Sequence, residues 1–129
     1  MREPDSSLDQ LAHAVIGAAI DVHREIGPGF LESVYQNALC YELGLRHIVY
    51  EAQALTPITY KGYPVGEGSI DVLVERRLIV ELKAVEAFEA IHQAQVISYL
   101  KAMRLSLGLL INFNMPILKD GIRRVVLSH

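Results

Sequence analysis

The chain has 129 residues, 51% of them hydrophobic and 21% charged, and its 15 acids against 12 bases give a formal charge of −3. That length fits one domain with its own core, so wholesale disorder is excluded, and the acidic balance is not the footprint of a protein that holds nucleic acid by bulk electrostatics. The single cysteine, Cys40, excludes an internal disulfide and a Cys-rich metal site and points to a reducing, cytoplasmic setting. No apolar run reaches the length of a membrane span, and the opening residues lack the apolar stretch of a signal peptide, so no membrane association is expected.

Residues 1–6 are polar, carry a proline and read as a disordered tail; residues 7–129 read as one domain. Ser7 followed by Gln10 fits a capping box and predicts the start of a helix. Leu8, Leu11, Val15, Ala19, Val22 and Ile26 give that helix an apolar face, and Gly27-Pro28-Gly29 ends it. A second helix is predicted from about Phe30 to Leu43, with Leu31, Val34, Ala38 and Leu45 as its buried stripe and Gly44 as its C-cap. Cys40 reads as a small core residue.

From Ile48 the period changes to two. Ile48–Ala54 and Pro57–Tyr60 read as strand, with turns at Lys61-Gly62 and at Gly66-Glu67-Gly68. Ser69–Val74 and Leu78–Lys83 follow as strands joined by Glu75-Arg76-Arg77. Glu86 to Met103 is predicted helical, with Phe88, Ile91, Ala94, Val96, Leu100 and Met103 supplying apolar contacts. Leu107–Phe113 reads as a strand buried on both faces, Asp120-Gly121 as a turn, and Ile122–Leu127 as a final strand. The order α-α-β-β-β-α-β-β describes a mixed sheet flanked by helices, an α/β (α+β) fold, with a right-handed crossover helix between the third and fourth strands. The pairs Arg76-Arg77 and Arg123-Arg124 read as solvated charges of a turn and a strand end.

The chemistry concentrates in the hairpin SIDVLVERRLIVELK. Ile70, Val72, Val74, Leu78, Val80 and Leu82 share one parity and predict a core-facing side, while Asp71, Glu81 and Lys83 share the other. Asp71 and Glu81 are ten residues apart, so a three-residue loop from Glu75 to Arg77 places them opposite each other. A two-residue loop would set apolar positions of one strand against the acidic face of its partner. Two carboxylates at that distance repel, and a divalent cation relieves the repulsion. Oxygen-only ligands suit Mg²⁺ or Mn²⁺ rather than zinc. Lys83, two residues past Glu81 on the same face, is placed to orient a water or hold charge developing on a phosphoryl oxygen. That grouping suits metal-assisted phosphodiester hydrolysis.

Earlier in the chain, at the start of the second helix, Gly29-Phe30-Leu31-Glu32-Ser33-Val34-Tyr35 reads as G-x-x-E-x-x-Y. Together with Asp71…Glu81-Leu82-Lys83-Ala84, with His92-x-x-Gln95-x-x-x-Tyr99-Leu100 and with Ile111-Asn112-Phe113, it resembles the GxxExxY family of the PD-(D/E)XK nuclease-like superfamily. The likeness spans roughly residues 8 to 127. It implies a restriction-endonuclease-like core, with Asp71 and Glu81 as metal-binding acids, Glu32 as an extra acid on the preceding helix and Lys83 as the catalytic lysine. Gln95 and Tyr99 would then orient substrate or the acids. The histidine ligand that many members of the recombination-type branch carry on the early helix is absent from the GxxExxY segment. His23 lies just upstream, but nothing in its spacing selects it.

The residues themselves fit part of that scheme. Glu32 falls in the first turn of its helix, where the positive dipole end favours an anion. Tyr35, on the same face, either positions Glu32 or fills core space with its hydroxyl satisfied. His92 reads as a surface or hydrogen-bonded histidine, and Glu51 as an exposed edge charge.

The function expected is a metal-dependent nuclease that hydrolyses phosphodiester bonds in DNA or RNA with Mg²⁺ or Mn²⁺. A homodimer is compatible with cutting both strands of a duplex. The alternative is a non-catalytic nucleic-acid- or protein-binding module on the same fold. In a plain structural domain, by contrast, Asp71, Glu81 and Lys83 would not converge.

Overall fold

The computed structural model describes residues 5–129. Helix α1 spans Ser6–Ile26. Its N-cap is Asp5, whose Oδ1 accepts the Leu8 amide at 2.8 Å, not the expected Ser7. A carboxylate at a helix N-terminus adds charge to the cap, while the Ser7 hydroxyl accepts from Arg77 at 3.1 Å instead. Of the expected tail, residues 1–4 lie outside the described residues, and Asp5 and Ser6 belong to the helix start.

After the turn at residues 27–31, α2 spans Glu32–Leu45. Its buried residues are Tyr35, Leu39, Cys40 and Leu43. The expected stripe is therefore corrected, since Leu31, Val34 and Leu45 are exposed. The rotation of the helix is set by Tyr35, whose ring stacks on Phe113 with centroids 4.5 Å apart. Gly44 is not the cap either: the helix continues to Leu45, and the Arg46 amide bonds back to Glu42 and Leu43.

Strands β1 (Tyr50–Tyr60) and β2 (Tyr63–Val74) form one long antiparallel hairpin that turns at Lys61-Gly62. The turn expected at Gly66-Glu67-Gly68 does not exist; those residues pair with Ile58, Pro57 and Thr56. Gly68 serves packing, because a Cβ there would come within 2.5 Å of the Tyr99 ring. Strand β3 (Leu78–Lys83) follows a turn in which Glu75 and Arg76 both adopt left-handed φ and Arg77 N–H bonds to Val74 C=O at 2.9 Å. Helix α3 covers Ala90–Met103 and starts later than expected, because Glu89 and His92 cap each other reciprocally at its N-terminus. Strand β4 is Leu107–Asn112, and Asp120-Gly121 lies in a 3₁₀ turn over Leu118–Gly121 before β5, Ile122–Val126.

The five strands lie in the order β1-β2-β3-β4-β5, with β3 and β4 paired parallel and the other neighbours antiparallel. One face packs under α1 and α2 through Val72, Val74, Leu78, Val80, Leu82, Leu107, Leu109 and Ile111. The opposite face is not left to solvent. Leu73, Ile79 and Leu110 are buried there with Val96 and Leu100 of α3. Ile70 joins this second layer, against the parity expectation. It lies beyond a break in the β1–β2 ladder, where Gln53 has a φ of +50° and Gln53 and Asp71 do not pair. The acid-bearing face is thus buried in its middle and open at one end, the end reached by Asp71, Glu81 and Lys83.

Candidate active site

The β2–β3 ladder runs through Val74–Leu78, Leu73–Ile79 and Val72–Val80. One step further, where the register sets Asp71 opposite Glu81, side-chain oxygens replace carbonyls as the acceptors. Leu82 N–H donates to Asp71 Oδ2 at 2.9 Å, and Asp71 N–H donates to Glu81 Oε1 at 3.3 Å. Glu81 is 3% exposed. Burial first, then the hydrogen bond and charge of Asp71, push its pKa up to about 9, with the ammonium of Lys83 opposing the rise. A buried carboxyl beside a second acid holds its proton, because its charge would be both poorly solvated and repelled.

Lys83 closes β3 on the same face, half-buried, and its Nζ donates to Gln95 Oε1 on α3 at 3.3 Å. The backbone around it is pinned from β4. Lys83 C=O accepts from Phe113 N–H at 2.9 Å. Asn112, 1% exposed, accepts from Val85 N–H and Asn114 N–H at 3.1 Å each and donates to Val85 C=O at 2.8 Å. Glu32 reaches the same strand end from α2, its Oε2 accepting from Ala84 N–H at 3.2 Å.

The other candidates have mainly structural contacts. Tyr35 is fully buried; its hydroxyl donates to Gly27 C=O at 2.6 Å and accepts from Phe30 N–H at 3.2 Å. It ties down the turn that delivers Glu32. Tyr99 lies over Gly68 beside Thr56. His92 caps α3, with Nδ1 accepting from Glu89 N–H at 3.0 Å. His23 bonds through Nε2 to Met115 C=O at 2.7 Å. Glu51 ion-pairs with Arg76 at 2.7 Å on the exposed edge, as expected of an edge charge.

Sequence reading missed Gln53, Gln36 and Ser69. Gln53 Nε2 donates to Asp71 Oδ1 at 3.3 Å and to Gln36 Oε1 at 2.7 Å, while its Oε1 accepts from Ser69 Oγ at 2.6 Å. Ser69 shares the parity of Asp71, and Gln36 lies one turn past Glu32. Those spacings were the available signals, but the left-handed residue that brings the two together leaves no mark in the hydrophobic pattern.

Among the described residues, no three His, Cys, Asp or Glu side chains gather as a group able to hold a metal ion. The pair Asp71–Glu81 fits a hard divalent cation by chemistry: its donors are oxygens only, and its second charge is suppressed until a cation compensates it.

A family model described as the PD-(D/E)XK nuclease superfamily matches residues 9–125. The chain belongs to that superfamily. The matched span holds Glu32, Asp71, Glu81, Lys83 and Gln95, and the mixed sheet flanked by helices agrees with the restriction-endonuclease-like fold expected for a PD-(D/E)XK protein. The crystal structure of SSO0001 is similar in fold, with a TM-score of 0.54 and 18% identity, over 75% of this chain and 50% of that one. The chain thus spans about half the length of SSO0001. No curated protein matches it. No described helix of this PD-(D/E)XK protein is long and apolar enough to cross a membrane.

Proposed function

We propose that the chain is a metal-dependent nuclease that hydrolyses phosphodiester bonds in DNA or RNA, and that it belongs with the GxxExxY proteins of its superfamily. The observation that carries this reading is the coupled pair Asp71–Glu81 beside Lys83, with Glu32 brought to the same strand end. Asp71 and Glu81 would hold Mg²⁺ or Mn²⁺, and Glu32 would assist from α2. A divalent cation bound there supplies Lewis-acid polarisation of the phosphoryl group and lowers the pKa of the attacking water.

The chain's own residues do the rest. Lys83, held by Gln95, directs its ammonium at charge growing on a phosphoryl oxygen. The amides of Asp71 and Leu82 fix the carboxylates, so little reorganisation is needed as that charge develops. Water gives up one proton as its oxygen bonds to phosphorus, the P–O bond to the leaving sugar breaks, and the leaving oxygen takes up one proton, so that the step is balanced by the water alone.

Cutting both strands of a duplex takes two such sites, which a homodimer would supply. Leu31, Tyr41 and Leu45 stand exposed along α2 and would be apolar contacts of that pair.

The test is incubation with single- and double-stranded DNA and RNA in Mg²⁺ or Mn²⁺. Cleavage that is abolished by EDTA and by Glu81→Ala supports the reading. Cleavage undiminished in the variant, or none with any substrate, contradicts it and leaves a non-catalytic module.

A further inference from the structure

Gln53 is held in an unfavourable backbone state for a reason the fold alone does not supply. Its φ of +50° is left-handed, a conformation that a residue with a long side chain seldom adopts in a strand. Pairing is regular on both sides, with Ala52 opposite Val72 and Ala54 opposite Ile70, so no inserted residue requires the distortion. It is also exposed, and so fills no core space. What the distortion accompanies is the placement of its amide beside Asp71.

The amide is clamped at three points: Gln36 Oε1 at 2.7 Å, Ser69 Oγ at 2.6 Å and Asp71 Oδ1 at 3.3 Å. Nε2 faces Asp71 and donates to Oδ1, while Oε1 faces Ser69. The two hydrogens of Nε2 suffice for Gln36 and Asp71, which leaves Oε1 for the Ser69 hydroxyl. Asp71 is thereby held from two directions, by Leu82 N–H on Oδ2 and by Gln53 on Oδ1. Gln36 extends the clamp to α2, the helix that also carries Glu32.

We infer that Gln53 is a positioning residue: with Gln36 and Ser69 it fixes the rotamer in which Asp71 presents its carboxylate to a divalent cation. This rests on the metal-binding reading of Asp71 and Glu81. Groups that orient a ligating carboxylate act on metal affinity without touching the ion, with typical losses of tenfold or more on removal. The strained φ is maintained by that clamp and by the backbone pairing on either side.

The experiment measures Mn²⁺ binding by the loss of the free-ion electron paramagnetic resonance signal, for wild type, Gln53→Gly and Gln53→Ala, alongside thermal melts. Glycine relieves the left-handed strain and alanine does not, so Gln53→Gly is expected to melt above Gln53→Ala. Both variants lack the amide, and both are expected to bind Mn²⁺ about tenfold more weakly than wild type. Loss of affinity that does not follow melting temperature is what a merely structural role would not produce. Affinity within about twofold of wild type in either variant, against a wild type that binds, overturns the role of Gln53 and leaves the nuclease reading standing. A wild type that binds no Mn²⁺ overturns both.

Discussion

Asp71 and Glu81 are cross-bonded: Leu82 N–H, next to Glu81, donates to the Asp71 carboxylate, and Asp71 N–H donates to the Glu81 carboxylate. The pair occupies the place where the hairpin's own ladder stops, so the two acids belong to the framework as much as to the site. Their closeness and the burial of Glu81 set its protonation.

The first prediction concerns pH and stability. Burial and Asp71 raise the Glu81 pKa to about 9 in the folded chain, against an ordinary 4.5. Between those values the native state binds a proton that the unfolded state has released, so the contribution of Glu81 to stability is full below pH 4.5 and is lost as pH rises towards 9. Glu81→Gln removes the titration. We expect the variant to be the more stable protein at pH 8 without metal, by on the order of 3 kcal/mol, and to show little advantage at pH 4. Urea melts at the two pH values check it; equal stabilities at pH 8 would count against a protonated buried carboxyl.

The acid pair was legible in the sequence because parity and loop length act on it together. A three-residue loop is the one that keeps Val72, Val74, Leu78 and Val80 on one side, and the structure adopts it. What was not legible has a common cause, in that single backbone or packing events reset the pattern locally. The stack of Tyr35 on Phe113 rotates α2, so Leu31, Val34 and Leu45 face outward. Gly68 looks like turn punctuation but makes room for Tyr99. A left-handed Gln53 interrupts the ladder, and Ile70 packs with the α3 layer. Alternation of side chains assumes an unbroken strand, so it carries no information about such points.

Gln95→Ala removes the acceptor of the Lys83 ammonium while leaving the acids and their backbone bonds in place. We expect a fall in kcat of about tenfold with KM and Mn²⁺ affinity little changed, since the loss is of orientation rather than binding. Steady-state kinetics on the best-cleaved substrate separates the two parameters.

Asn112→Ala would take from Val85 N–H and Asn114 N–H the acceptor that pins the backbone after Lys83, and would leave Val85 C=O only the longer bond from Asn114 Nδ2 at 3.4 Å. A buried polar group stripped of its partner carries a destabilisation of about 1–3 kcal/mol, and here two partly buried N–H groups lose theirs. We expect a loss of ~3 kcal/mol in chemical denaturation, together with reduced cleavage.

The exposed residues Leu31, Val34, Tyr41 and Leu45 stand three, seven and four residues apart, which sets them along one side of α2 as a helix-pairing surface would require. Glu42 on its flank is already engaged by Arg46, which also pairs with Asp21, so face-to-face packing of two copies buries no unpaired charge there. Sedimentation velocity should show a dimer that Tyr41→Asp converts to monomer; a wild-type monomer at all concentrations would remove this surface from the account.

The most direct measurement is calorimetric titration of the wild type, Asp71→Asn and Glu81→Gln with Mn²⁺ at pH 7, run in two buffers of different ionisation enthalpy. We expect the wild type to bind Mn²⁺ with release of about one proton, that of Glu81, and both variants to lose binding. Absence of binding by the wild type, or binding that survives in both variants, would contradict the assignment of Asp71 and Glu81 as the metal-holding pair.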